Sequence, residues 1–303
     1  MSRFPRRRSA SARAMSCWCS VPRGRPRDAR DRRRLASRHA SQCASRRAGT
    51  ERPMAPPLPP QLILRPTGRD FPAGLVLSEY DARHRHHIAA DRAHLPDEER
   101  ALAETLRSEQ RRIGFLAGRI ALRSAFAALD PALVPGAVLR DARGRPHADW
   151  SGAPRISIAH TRVRAVAAAA PLGACAAIGV DVEELDAHRA HALVRMSLST
   201  DEAARVRATD PAMLAGPIAL WCAREACVKA FALEVGWFGT ALVATRFESC
   251  DPPAADAVRA WRVEIAFESH EAMRAIAWES RGAVFAFAFD SRARVNDEAA
   301  ARP

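Results

Sequence analysis

Leu220-Trp221-Cys222-Ala223-Arg224-Glu225-Ala226-Cys227-Val228-Lys229-Ala230-Phe231 contains neither Gly nor Pro and is written almost wholly in good helix formers, which predicts a buried helix. Glu225 and Lys229 stand four apart with Trp221 one turn earlier, so the three share a face that also holds Ile218 and Cys222. On a solvated helix this is an ordinary i,i+4 pair worth a few tenths of a kcal/mol; on an apolar stripe both charges need partners. Lys229 is also the only lysine in the chain, beside 46 arginines. A compact ammonium binds phosphate without bidentate geometry and can move a proton, which singles Lys229 out.

Upstream of that helix, Ala176-Ala177-Ile178-Gly179-Val180-Asp181-Val182-Glu183 alternates as a strand. Its period of two puts Asp181 and Glu183 on one face and Ile178, Val180 and Val182 on the other. Arg155–His160 and Val163–Ala170 are two more strands, and Ser199-Thr200-Asp201-Glu202 is a capping box opening a short helix. Asp210-Pro211 is read as the start of the next helix, which Gly216-Pro217 breaks or kinks. Earlier still, Leu62–Leu64, Leu75–Leu77 and Val138–Asp141 read as strands, with a turn over Ala142–Pro146. Helices are expected from Pro96 through Arg100 and from Gln110 to Leu129, the latter ringed by Arg111, Arg112, Arg119 and Arg123. His84, His86, His87 and His94 lack a fixed ligand spacing and read as a solvated segment. Downstream, strands are expected at Val243–Phe247, Trp261–Phe267, Ala275–Trp278 and Val284–Phe289, with Arg281-Gly282 turning the last hairpin. This order gives an α+β fold rather than regular βαβ alternation.

A chain of 303 residues can bury a real core. The formal charge of +13 resembles a nucleic-acid signal until it is located. Residues 1–53 hold sixteen Arg against Asp28, Asp31 and Glu51, and the remaining residues are neutral. Nucleic-acid binding therefore rests on that arm alone, and the folded part shows no basic bias. Residues 1–53 are expected to be disordered. They read as a start placed too early, with Met54 as the true first residue, as a basic arm, or as a transit-like segment. Residues 291–303 read as a frayed tail. Seven cysteines in an odd count, none at zinc-site spacing, read as small buried hydrophobes in a reducing compartment, which places the protein in the cytoplasm. No run approaches eighteen consecutive apolar residues, so no membrane span is expected.

Two carboxylates two apart on a strand make half of a hard-cation site, and Glu225 completes the set if its helix packs across that strand. With Lys229, His160, the Arg140–Arg145 turn and the Arg-studded helix nearby in sequence, the group suits magnesium-assisted transfer at a pyrophosphate. No P-loop or GxGxxG is present.

Gly179-Val180-Asp181-Val182-Glu183, followed about forty residues later by Trp221-Cys222-Ala223-Arg224-Glu225-Ala226-Cys227-Val228-Lys229-Ala230, resembles the signature pair of the 4′-phosphopantetheinyl transferases. Their second motif is commonly W-x-x-K-E-x-x-x-K. Gly144-Arg145-Pro146 is similar to the family's G-K-P turn, and Ser157-Ile158-Ala159-His160 to its N-x-S-H strand end. Phe115-Leu116-Ala117-Gly118-Arg119 to Arg123 resembles the first-half helix of the larger, monomeric, surfactin-synthetase-activating (Sfp-like) type. The resemblance implies a monomer of two similar α+β halves related by a pseudo-two-fold, here 54–165 and 166–290, with coenzyme A bound at their junction. It implies transfer of the phosphopantetheine arm to a serine of an apo acyl or peptidyl carrier protein, with adenosine 3′,5′-bisphosphate released. By motif, Asp181, Glu183 and Glu225 would hold Mg²⁺ (or Mn²⁺), Glu225 would serve as base, and Lys229 would neutralise or protonate the leaving phosphate. His160 and Arg145 would hold the 3′-phosphate end, with Arg100 a further candidate for it. Arg145 and Arg224 stand where the family has lysine, and Ala159 where it has serine. The Ala159 departure points to the alternative of a weakened relative that binds coenzyme A or a carrier without turnover.

Overall fold

Strands and helices alternate unevenly in the computed structural model, which describes residues 61–291 apart from 67–69, 84, 134, 142–143, 149, 236–240 and 269–270. The expected basic arm, residues 54–60, His84, residues 142–143 of the expected turn and the tail beyond Ser291 lie outside the described residues. In chain order the elements are β1 (Gln61–Leu64), β2 (Val76–Asp81), α1 (Arg85–Asp91), a 3₁₀ turn (Arg92–His94), α2 (Asp97–Glu104), α3 (Glu109–Leu129), β3 (Val138–Arg140), β4 (Pro146–Ala148), β5 (Arg155–His160), β6 (Arg164–Ala170), β7 (Ala177–Glu184), α4 (Ala187–Met196), α5 (Thr200–Thr209), α6 (Ala215–Phe231), β8 (Val243–Cys250), β9 (Ala257–Ala266), β10 (Met273–Ser280) and β11 (Ala283–Asp290).

Among the described residues all strand pairings are antiparallel. One sheet runs β1-β2-β6-β5, a second β7-β11-β10-β9-β8, and β3-β4 form a separate hairpin. Alternation along each strand builds the layers. Ala165, Ala167 and Ala169 of β6, with Val76 and Tyr80 of β2, meet Ile113, Leu116, Ala117 and Ile120 of α3. The other face of the same strands presents Leu75, Leu77, Val166, Ala168 and Ala170 to Ile178, Val180 and Val182 of β7 and to Phe285 and Phe287 of β11. Beyond them, Val263, Ala275, Ala277, Ala286 and Ala288 meet Ile218, Cys222, Ala223 and Ala226 of α6. The result is four layers: α3, the first sheet, the second sheet, α6. Alanine on the sheet faces lets both long helices approach closely, and burial of the larger aliphatic side chains contributes about 2 kcal/mol each.

Three helix starts follow from side-chain capping. Ser108 caps α3 by accepting from the Arg111 amide, and Ser199 and Glu202 form the reciprocal box that starts α5. Arg281 (φ 49°) and Gly282 (φ 72°) make the tight turn between β10 and β11, as a two-residue hairpin requires.

Two helices were not expected and one expectation is corrected. The histidine-bearing segment, read only as solvated, is helical over residues 85–91 (α1), with His87 exposed and Ile88 buried. Residues 187–196 form α4, started by Asp186, which accepts from the His188 and Arg189 amides. No helix starts at Asp210-Pro211, and Gly216-Pro217 breaks nothing. Asp210 closes α5 and its Oδ2 accepts from the Leu214 and Gly216 amides, while Pro217 falls in the first turn of α6. There a missing N–H costs little because it has no intrahelical partner.

A buried ion network joins the two sheets. Glu79 of β2 is held by Arg164 of β6 and by Arg281 of the β10–β11 turn. Arg164 also reaches Glu184 at the end of β7 (2.8 and 3.0 Å). No helix among the described residues is long and apolar enough to cross a membrane.

Candidate active site

β7 and α6 cross at Gly179. A Cβ there would lie 1.9 Å from the Ala226 carbonyl oxygen, so only glycine allows this approach of helix to strand. The crossing brings the two motifs into register. Lys229 Nζ donates to Asp181 Oδ1 (2.8 Å) and to the Val180 carbonyl (2.9 Å). Asp181 is 8 % exposed, its Oδ2 is buried without an N–H or O–H donor, and the Cys222 thiol beside the acid donates to the Val284 carbonyl (3.7 Å).

Glu183, two residues along the same strand face, is ion-paired with Arg189 of α4. Burial and then the Asp181 charge push its carboxyl up to about 7, although Arg189 and Lys229 pull the other way. Glu225 is also raised, first by burial and then by Asp181, against Lys229 and Arg189. Three carboxylates thus share one region with two cations, and Glu183 and Glu225 each carry the cost of the Asp181 charge.

His160, at the end of β5, keeps an exposed edge while its ring backs onto α3. A Cβ on Gly114 would lie 2.8 Å from its Nδ1, so that glycine makes room for the imidazole. Desolvation of the inner face, then the Lys229 charge, lowers its pKa, so the neutral ring is favoured. Lys229 therefore acts on both His160 and the acids.

Five of the seven candidate residues are brought together in this way: Asp181, Glu183, Glu225, Lys229 and His160. The other two are engaged elsewhere. Arg145 is held by Asp141 within its own hairpin (2.7 Å), and Arg100 donates to the Leu95 and Ala93 carbonyls and pairs with Asp97 at the start of α2. Arg140 acts on His160 instead; its guanidinium lies 5.4 Å from the Phe115 ring centroid, which Arg119 shares at 4.8 Å. Arg224 faces away from the acids. It donates to the Ser197 carbonyl (2.8 Å) and to Glu202 (2.5 Å), where it fastens α6 to the capping box of α5.

The all-oxygen donor set suits a hard divalent cation, and the unserved Oδ2 of Asp181 and the raised Glu183 and Glu225 are what a missing positive charge would leave. Among the described residues, however, no three His, Cys, Asp or Glu side chains stand at coordinating positions. Lys229 and Arg189 hold two of the acids where they are. The chemistry of the site fits Mg²⁺; its present side-chain positions do not yet converge on one point.

Two residues that matter here escaped the sequence reading. Arg189 lay in a helix that was not expected, and its signal was the Asp186 cap two and three residues before His188 and Arg189. Cys222 was read as a plain hydrophobe, yet it is fully buried against the two strand acids, which help to hold its thiol far above the usual range after burial itself.

Residues 177–286 match the family model of the 4′-phosphopantetheinyl transferase superfamily. The match covers β7 through the first half of β11, a little over a third of the chain, and so includes Asp181, Glu183, Glu225 and Lys229 but not His160, Arg145 or Arg100. No curated protein matches the chain.

Proposed function

We propose that this protein transfers the 4′-phosphopantetheine arm of coenzyme A to a serine of an apo acyl or peptidyl carrier protein, with release of adenosine 3′,5′-bisphosphate. The reading carries the larger, monomeric, surfactin-synthetase-activating type with it, with halves 54–165 and 166–290 and coenzyme A at their junction. One observation supports it above the others: Lys229 of the helix motif donates to Asp181 of the strand motif, so the two signatures make a single site.

In this mechanism the serine Oγ attacks the phosphorus that carries the pantetheine, and the bond from that phosphorus to the bridging oxygen breaks. Glu225 takes the serine proton, directly or through a water; its raised pKa makes it a better base than an ordinary surface carboxylate. Lys229 neutralises the departing bisphosphate and can supply its proton. Asp181, Glu183 and Glu225 would hold Mg²⁺, which supplies charge compensation at the diphosphate when bound. His160 contacts the nucleotide's 3′-phosphate end from its perch on Gly114, with Arg145 and Arg100 as the more distant candidates for that phosphate.

The test is a mass measurement. The full chain, coenzyme A, Mg²⁺ and an apo carrier are mixed, and the carrier is weighed before and after. Gain of one phosphopantetheine group is expected. No gain with fatty-acid, polyketide and peptide-synthetase carriers alike refutes the proposal.

A further inference from the structure

Arg189 is placed at the site by a chain of local causes. Asp186 accepts from the amides of His188 (2.7 Å) and Arg189 (3.1 Å), which fixes the first turn of α4 beside β7. From that turn the Arg189 side chain reaches back over Trp221 of α6, its guanidinium carbon 6.0 Å from the ring centroid, to pair with Glu183 Oε1. Its Nε is buried without a hydrogen-bond partner. One guanidinium therefore rests on an aromatic face, holds one oxygen of one acid and leaves a donor unused. That is a loosely committed cation. Arg224, nearby on α6, also leaves its Nε unpaired but is fixed in a different way: it is 2 % exposed and bonded to both a carboxylate and a carbonyl, whereas the Arg189 side chain is 40 % exposed and bonded to one carboxylate oxygen.

The charges around it do not balance. Asp181, Glu183 and Glu225 share the region with Lys229, paired to Asp181, and Arg189, paired to Glu183, which leaves the group one positive charge short. A divalent ion that took Arg189's place at Glu183 would bring the group to neutrality. It would also free a planar, bidentate guanidinium beside the place where a diphosphate must sit.

Resting on the reading above, we propose that Arg189 is a displaceable counter-ion. It positions Glu183 in the metal-free protein, yields that carboxylate to the divalent cation, and then engages the diphosphate of the incoming substrate. Metal and coenzyme binding are thereby coupled through one side chain.

The test titrates Mn²⁺ into the full-length protein by electron paramagnetic resonance, first alone and then with coenzyme A. Arg189→Gln removes the competing charge, so Mn²⁺ binds the protein alone about tenfold more tightly. Arg189→Lys keeps the charge and leaves the Mn²⁺ affinity near that of the unaltered protein. With Mn²⁺ saturating, calorimetry shows Arg189→Gln binding coenzyme A about tenfold more weakly. Arg189 is 40 % exposed at its side chain, and circular dichroism confirms that the variants fold. Unchanged or weaker Mn²⁺ binding by Arg189→Gln overturns the proposal while the transferase reading stands on its carrier assay. A protein that binds no Mn²⁺ overturns the proposal and the metal part of that reading together.

Discussion

Glu183→Gln should make the metal-free protein more stable at pH 8, even as it removes an acid from the site. The Glu183 carboxyl sits at about 7 in the folded chain, against an ordinary 4.5. Between those values the native state binds more protons than the unfolded chain, so stability falls as pH rises through that window and the deficit is complete above about 7. The gap is worth about 3 kcal/mol. That gap already includes the pull of Arg189, so a gain of about 3 kcal/mol is expected at pH 8 and almost none near pH 4.5. Urea denaturation at both pH values, in the presence of a chelator, measures it; for a chain of this size the gain corresponds to about 6–12 °C in Tm. Saturating Mg²⁺ should reverse the order, because the unaltered protein binds the ion and gains stability by mass action. A variant that is equally or less stable at pH 8 without metal would show that Glu183 is not held against its own ionisation, and the account of the site as short of positive charge would fail.

Glu225→Gln should keep the fold and cut turnover about a hundredfold or more, read as the rate of carrier modification; near-normal turnover removes Glu225 from the mechanism. Lys229→Arg keeps the charge but is a poor proton donor, so a slowed rate with little change in coenzyme binding supports the proton role, and a full rate leaves only the charge. Gly179→Ala drives a methyl into the Ala226 carbonyl and should cost about 3 kcal/mol or more, with activity lost as α6 lifts from β7; an unchanged denaturation midpoint would contradict the crossing described. Arg224→Met strands the buried Glu202 and should cost about 3 kcal/mol, seen in urea denaturation, while turnover per folded molecule is retained; a turnover loss without destabilisation would place Arg224 in the site instead.

Much of the fold was legible because the signals are local. The alternation in 155–160 and 176–183, the Ser199 capping box and the Arg281-Gly282 turn each name an element without reference to the rest of the chain. The misreadings come where tertiary context decides. Pro217 looks like a breaker in the string, but a helix that starts two residues earlier tolerates it. The segment around Ile88 has too few apolar residues to show a period, yet one buried side chain against the core suffices to wind it. At the site, the strand acids and the helix face could be read from spacing alone, whereas their counter-ions could not. Arg189 depends on an unexpected helix, and Arg140 rather than Arg145 reaches His160 because Asp141 holds the latter within its hairpin. Arg224 stands in a motif position yet turns toward Glu202, since a helix face one residue wide points some 100° from its neighbour.

The solitary amine of Lys229 makes the protein its own reporter. Lysyl endopeptidase can cleave this chain at one bond only, after residue 229, and an acylating reagent finds a single ε-amine to modify. In the folded protein that amine is engaged by Asp181 and the Val180 carbonyl, so acylation at 229 should be slow and cleavage should wait on unfolding. Labelling rates at one atom would then report directly on whether the strand and the helix remain in contact, with no probe introduced.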